Sequence, residues 1–200
     1  MTDEANVHLA TAHYPPADIT PAEFEEFVTQ LFTSAQENIE GLAVRLHEKI
    51  RGVDGTYDFD ATVRYELAGM SFLVLVEAKK HKNPIKRELV QVLYQKVQSV
   101  GAQKGVMIST APYQIGAVEF AKTHGVALVT VTEGRFTFEA RGGVPVPPLS
   151  RQQAAEQFNS PTFVGHHYGP GGEPGSTSST LMSPEYPEYI VDLLLASPVR

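Results

Sequence analysis

Asp60, Glu77 and Lys79 are the side chains in this sequence best placed to act together on a substrate. The segment Tyr57-Asp-Phe-Asp-Ala-Thr-Val63 alternates acid with apolar residues, and Val74-Leu-Val-Glu-Ala-Lys-Lys-His-Lys82 is an apolar run finishing in charge. Side chains alternate between faces along a strand, so Glu77 and Lys79 project together, as do Asp58, Asp60 and Thr62. Paired as a hairpin, these segments bring Asp60 beside Glu77. Two carboxylates and an ammonium then converge at the rim of a sheet. Hard oxygen donors of this kind suit Mg2+ or Mn2+, and nothing about them favours zinc. Such an ion acidifies a bound water and neutralises charge developing on phosphoryl oxygens. A lysine beside it orients the water or stabilises the transition state. The plainer alternative is a strand that ends in solvated charge.

The surrounding pattern supplies elements to hold these residues. Thr20-Pro-Ala-Glu23 is a capping box with proline in the first turn, and Phe24, Phe27, Val28, Leu31 and Ala35 continue a helix to about Ile39. Strands are predicted at Ala43–Gly52 (exposed or at an edge), Tyr57–Glu66 and Ser71–Lys79, with turns at Gly52-Val-Asp-Gly55 and Leu67-Ala-Gly-Met70. Asn83-Pro84 opens a second helix, whose stripe is Ile85, Leu89, Val92, Leu93, Val97 and Val100, and Gly101 closes it. A strand at Lys104–Thr110, a helix at Tyr113–His124, a strand at Val126–Val131 and a last edge strand at Arg135–Glu139 follow. The order αβββαβαβ predicts an α/β domain, a central mixed β-sheet flanked by helices, with a hairpin meander leading into a right-handed βαβ crossover.

The chain has 200 residues, 42% of them hydrophobic, a formal net charge of -7 and no cysteine. That length suits one folded domain. The charge argues against indiscriminate coating of nucleic acid, although local patches rather than totals set phosphate attraction. Without cysteine there are no disulfides, thiolate metal sites or cysteine nucleophiles. Apolar runs are too short to span a bilayer and the start lacks a signal-peptide layout, so a cytoplasmic protein with no membrane partner is expected. Residues 1–19 are read as a flexible lead-in and 20–142 as the folded domain. Residues 143–200 are read as a Pro/Gly/Ser-rich, mostly disordered tail with a short docking segment at 186–195. No role is expected of His166-His167 in that tail.

Asp60, sixteen intervening residues and then Glu77-Ala-Lys79 resemble the D…(D/E)-x-K signature of the restriction-endonuclease-like nucleases. More specifically, the chain resembles the Mrr-type restriction endonucleases from about Pro21 to Val131. "EFEEFV" is similar to that family's Phe-Glu motif, and "GVDGTYDFDATV" to its glycine-rich turn and Asp-bearing strand. "VLVEAKKHK" is similar to its Glu/Gln-x-Lys strand with a basic segment, and "VGAQKGVMISTAPYQIGAVEFAKTHGVALVTV" to the rest of its core. The resemblance implies a restriction-endonuclease-like core with Asp60 and Glu77 as metal ligands and Lys79 as the catalytic lysine. Asp60 stands at the family's spacing, while Asp54 and Asp58 remain alternatives, Asp54 fitting a turn. Glu25 maps to the helix-borne acid, against simple solvent exposure. Gln95, one helical turn from Gln91 on the flanking helix, is a candidate for a hydrogen bond in the site. Lys80, Lys82, Lys86 and Arg87, with His81, are either a solvated loop or DNA phosphate contacts.

The implied activity is Mg2+-dependent hydrolysis of DNA phosphodiesters, with Mn2+ able to substitute, in restriction of foreign or modified DNA. A non-hydrolytic DNA-binding or assembly module of the same fold is the rival, and a junction resolvase shares the chemistry. No recognition domain is visible in the sequence, which makes a homodimer or a separate specificity partner plausible.

Overall fold

The computed structural model describes residues 14–134, 149–170 and 177–195. Helix α1 (Pro21–Thr33) begins at the capping box: Thr20 Oγ1 accepts from the Glu23 N–H at 3.2 Å, and Glu23 Oε2 from the Thr20 N–H at 2.7 Å. It buries Phe24, Phe27, Val28, Leu31 and Phe32, then tightens into a single 3-10 turn at Ser34–Glu37. Strands β1 (Ala43–Arg51), β2 (Thr56–Leu67) and β3 (Met70–Lys79) form an antiparallel meander. Ala68 (φ 51) and Gly69 (φ 75) make the two-residue turn between β2 and β3, a left-handed pair whose twist matches that of the strands.

Helix α2 (Arg87–Val100), β4 (Lys104–Ser109), α3 (Ile115–His124) and β5 (Val126–Glu133) complete two parallel crossovers, with Gly101 and Gly125 as left-handed C-caps. The predicted αβββαβαβ order is present, an α/β fold with a central mixed sheet. Helix α2 starts later than Asn83-Pro84. The Ile85 N–H instead donates to the Pro112 carbonyl at 2.8 Å, and Ile85 bridges Tyr113. A residue before proline is also disfavoured in helical geometry. Val92 of the expected stripe is 50% exposed, while Val90 is buried.

Each face of the sheet has its own core. Ala61, Val63, Val74, Val76, Ile108 and Val129 pack beneath α1, while Leu75, Met107 and Leu128 pack beneath α2 and α3 with Leu93, Val97 and Phe120. The β1–β2 hairpin changes sides along its length. Val44 and Val63 belong to the first core, but Ile50, Tyr57 and Phe59 belong to the second. Phe59 therefore does not share a face with Ala61, as strict alternation predicts. The change falls between the register pairs Leu46↔Ala61 and Glu48↔Phe59, where His47 takes φ 49 opposite Asp60.

The described residues of the segment expected to be mostly disordered are part of the fold. Helix α4 (Arg151–Phe158) leads into β6 (Phe163–Pro170), β7 (Thr177–Met182) and α5 (Pro187–Leu195), and the two strands extend one seven-stranded sheet in the order β1 to β7. Composition misleads here because β6 contributes backbone. Strand β5 is buried along its whole length and needs a hydrogen-bonding neighbour on each side. Gly165 permits a close approach, since a Cβ there would meet Val129 Cγ1 at 2.7 Å. The expected docking segment 186–195 contains α5, which buries Ile190, Leu193 and Leu194 in the first core. The Tyr65 hydroxyl donates to the Leu194 carbonyl at 2.9 Å, and Lys104 Nζ donates to the Leu193 carbonyl. Of the lead-in, Ile19 is a core residue and Pro16 bridges Thr132. The predicted strand 135–139 lies outside the described residues.

Ile190 is fully buried, so Ile190→Ala should cost about 2–5 kcal/mol in urea unfolding. A change within about 0.5 kcal/mol, the range of surface substitutions, would show that α5 does not support the core.

Candidate active site

The last β2–β3 pair towards these strand ends is Ala61↔Val76. Beyond it the Asp60 side chain takes over, its Oδ2 accepting the Ala78 N–H at 2.7 Å. Lys79 Nζ donates to Glu77 Oε2 at 2.8 Å and stands 4.0 Å from Asp60 Oδ2. One ammonium thus serves two carboxylates. The other Glu77 oxygen, Oε1, accepts from Lys96 Nζ of α2. Lys96 also lies over the Phe59 ring, 5.4 Å from its centroid. On the far side of β3 the parallel ladder continues through Glu77↔Met107 and Lys79↔Ser109. The cluster therefore sits where the carboxyl ends of β3 and β4 meet the start of β2.

Glu77 is only 6% exposed. Burial pushes its carboxyl up, yet hydrogen bonds and charge from Lys79 and Lys96 outweigh that and hold it below the usual carboxylate range. It is a stable anion at neutral pH.

Other expected residues lie at varying distances from this cluster. Asp54 accepts from the Tyr57 hydroxyl at 2.7 Å and from Ser99 Oγ, which fastens the hairpin tip to the end of α2. It is a turn residue. Asp58 is exposed and paired across the strands with Lys49. Glu25 is exposed on α1, its Oε2 4.0 Å from His47 Nε2, so it borders the site through the residue opposite Asp60. Gln95 is not brought into the cluster. It is exposed and lines a shallow cleft with Glu88, Gln91, Val92, Tyr94, Phe120 and His124, while its neighbour Lys96 makes the contact. Lys80, Lys82, Lys86 and Arg87 are all exposed. Their loop is fastened at both ends: the His81 N–H donates to Thr110 Oγ1, which donates back to the His81 carbonyl, both at 3.1 Å, and Ile85 bridges Tyr113.

Sequence reasoning missed Lys96 and His47. Lys96 carried a signal, because it lies three residues after Leu93 and seven after Leu89, on the apolar stripe itself. His47 carried none, its left-handed backbone being invisible in a run of strand formers.

The donor set fits a hard divalent ion. Asp60 and Glu77 both turn an oxygen toward one cation, and among the described residues no group of three His, Asp or Glu gathers elsewhere or here. Two carboxylates leave the remaining positions to water or phosphate, which is the habit of Mg2+ rather than of an all-protein cage.

A central mixed sheet with helices on both faces is the architecture of a restriction-endonuclease-like fold. The chain belongs to the Mrr-type restriction endonuclease family, whose model, described as "Restriction endonuclease", matches residues 16–134. That match ends at Gly134, directly after β5, so α4 to α5 lie beyond it. The solved structure titled "Crystal Structure of Protein of Unknown Function AF1548" is similar at 17% identity with a TM-score of 0.39, over 50% of this chain and 56% of that one. No curated protein matches the chain. No helix among the described residues is long and apolar enough to cross a membrane.

The pairing of Glu77 has a signature in pH. Its folded-state carboxyl titrates below the ordinary 4.5, so the stability it lends is complete above that value. It is lost as pH falls through the lower folded-state value. Urea unfolding followed from neutral pH to about pH 3 should show this loss, and Glu77→Gln should flatten that part of the profile. Parallel profiles for the two proteins would mean that the pairing lends no net stability.

Proposed function

We propose that this chain is a divalent-metal-dependent DNA endonuclease of the D…(D/E)-x-K type, acting in the cytoplasm on foreign or modified DNA. The observation that carries the proposal is the single ammonium of Lys79 shared between Asp60 and the buried Glu77. These carboxylates would hold Mg2+, or Mn2+ in its place. When bound, the ion supplies an activated water and charge neutralisation at the phosphoryl group. Asp60 is oriented by the Ala78 N–H and Glu77 is kept ionised by its lysines, so both present fixed anionic oxygens. Lys79 Nζ, at the mouth of the pair, donates hydrogen bonds to the attacking water or to the phosphoryl oxygens. Lys80, Lys82, Lys86 and Arg87 hold the phosphate backbone on a loop anchored to β4 and α3. Glu25 stands 4.0 Å from His47, which lies opposite Asp60 in the β1–β2 register. A homodimer or a separate specificity partner is the proposed source of target choice.

Purified protein incubated with methylated and unmethylated plasmid should cut only with Mg2+ or Mn2+. Lys79→Ala should lower cleavage by roughly a hundredfold or more while weakening DNA binding by no more than one phosphate contact. Lys82→Ala with Lys86→Ala should do the converse, weakening binding and its salt dependence while sparing cleavage at high protein concentration. Wild-type protein that binds plasmid and branched DNA yet cuts neither with either metal is instead a DNA-binding module.

A further inference from the structure

The hydrolysis proposed above uses the contact between Lys96 and Glu77 only to keep that carboxylate ionised. Asp60, Glu77, Lys79 and Lys96 bring two negative and two positive charges together, which sum to zero. Both oxygens of Glu77 are engaged, Oε2 by Lys79 and Oε1 by Lys96. A divalent ion entering between Asp60 and Glu77 would leave two surplus positive charges beside a carboxylate that is 6% exposed. Cations crowded into so enclosed a place repel strongly, and one of them has to leave. Lys79 can stay, because it is shared with Asp60 and can lean toward that carboxylate. Lys96 has no second carboxylate among the described residues. It does have a way out, since its side chain is 21% exposed and its ammonium otherwise only lies over the Phe59 ring.

We propose that Lys96 is an internal cation that competes with the divalent metal for Glu77 Oε1. It keeps the buried carboxylate paired before the ion binds, sets the metal affinity, and on displacement offers its ammonium to a DNA phosphate. Lys96 is on this account a positioning residue. The proposal rests on Asp60 and Glu77 forming the metal site.

The test is Mn2+ binding to the full chain without DNA, read by the electron paramagnetic resonance of free Mn2+, with melting temperature measured alongside. Lys96→Met should bind Mn2+ about tenfold more tightly than wild type, the effect of removing one competing charge-assisted hydrogen bond. It should melt lower without the ion and gain more from it than wild type does. Lys96→Gln, which keeps a hydrogen-bond donor for Glu77 without the charge, should also bind more tightly, and it carries the comparison if the methionine variant does not fold. Unchanged or weaker binding in these variants, with Glu77→Gln abolishing it, would overturn the competition and leave the metal site standing. Equal binding by wild type, Lys96→Met and Glu77→Gln, or none by any of them, would remove the metal site and the competition with it.

Discussion

A carboxylate as enclosed as that of Glu77 can remain charged only where cations meet its oxygens. That requirement ties together parts of the fold that otherwise look independent. Lys79 supplies one cation from the same strand, two residues on, so the Glu-x-Lys spacing is also the shortest spacing that puts both groups on one face. The other cation comes from α2, which can deliver Lys96 only because Leu93 and Val97 seat the helix on Leu75 and Met107. Removing one partner of such a buried set leaves an uncompensated charge, at a cost of about 3–5 kcal/mol. Core packing on this side of the sheet and the electrostatics of the site are thus the same problem.

Asp60 depends on a different device. The hairpin of β1 and β2 starts over one core and finishes over the other, and Asp60 stands at the change, opposite the left-handed His47. Backbone of that kind is uncommon outside glycine, and where it occurs the surroundings hold it. Here they do so at both ends. Val44 and Val63 are locked under α1, and the tip is fastened to α2 by Asp54, Ser99 and the Val53 N–H, which donates to the Ser99 carbonyl at 3.0 Å. The twist frees the Ala78 N–H from a ladder partner on β2 and gives it to the Asp60 carboxylate. The aspartate is oriented by the same distortion that carries the hairpin tip across to α2.

Much of this was legible in the sequence, for identifiable reasons. The capping box at Thr20, the span of β2 and the glycines ending α2 and α3 are local signals, and each stands where the pattern put it. The placement of Asp60 beside Lys79 was legible because it requires only a hairpin. The facing of Phe59 was not, since a face change leaves no trace in residue type. On α2, Gln95 looked polar and available while Lys96 interrupted the apolar stripe, and that interruption was the better clue. Adjacent helix positions differ by about 100°, so the choice between them decides which group enters the site. Strands β6 and β7 were illegible because their glycines and serines are poor at burying side chains, whereas the task of β6 is to hydrogen-bond β5 and that of β7 to hydrogen-bond β6. His166 shows how far inside they lie: it is 1% exposed, stands 2.8 Å from Thr132 Oγ1, and burial pushes its imidazole down to about 4. It is a neutral structural histidine.

The segment beyond the family match clamps the sheet at both ends of its strands. Helix α4 begins at the carboxyl end of β5, where Arg151 stands 3.5 Å from the buried Glu133 and donates to the Asp18 carbonyl at 3.3 Å, just before α1. Helix α5 ends at the opposite edge, where Lys104, the first residue of β4, donates to a carbonyl of its last turn. A cation suits a helix C-terminus, and burial lowers the Lys104 ammonium to about 8 without neutralising it at neutral pH. From Lys104 to Ser109, β4 runs about 17 Å at the usual rise per residue, so α5 grips the end remote from Lys79. A site that works by fixed charges needs its strand ends held still, because stabilisation of a developing charge falls away when the groups supplying it must reorganise. The added strands and helices answer that need through the sheet, by holding β5 and β4 against β3 and placing their own helices at the strand ends.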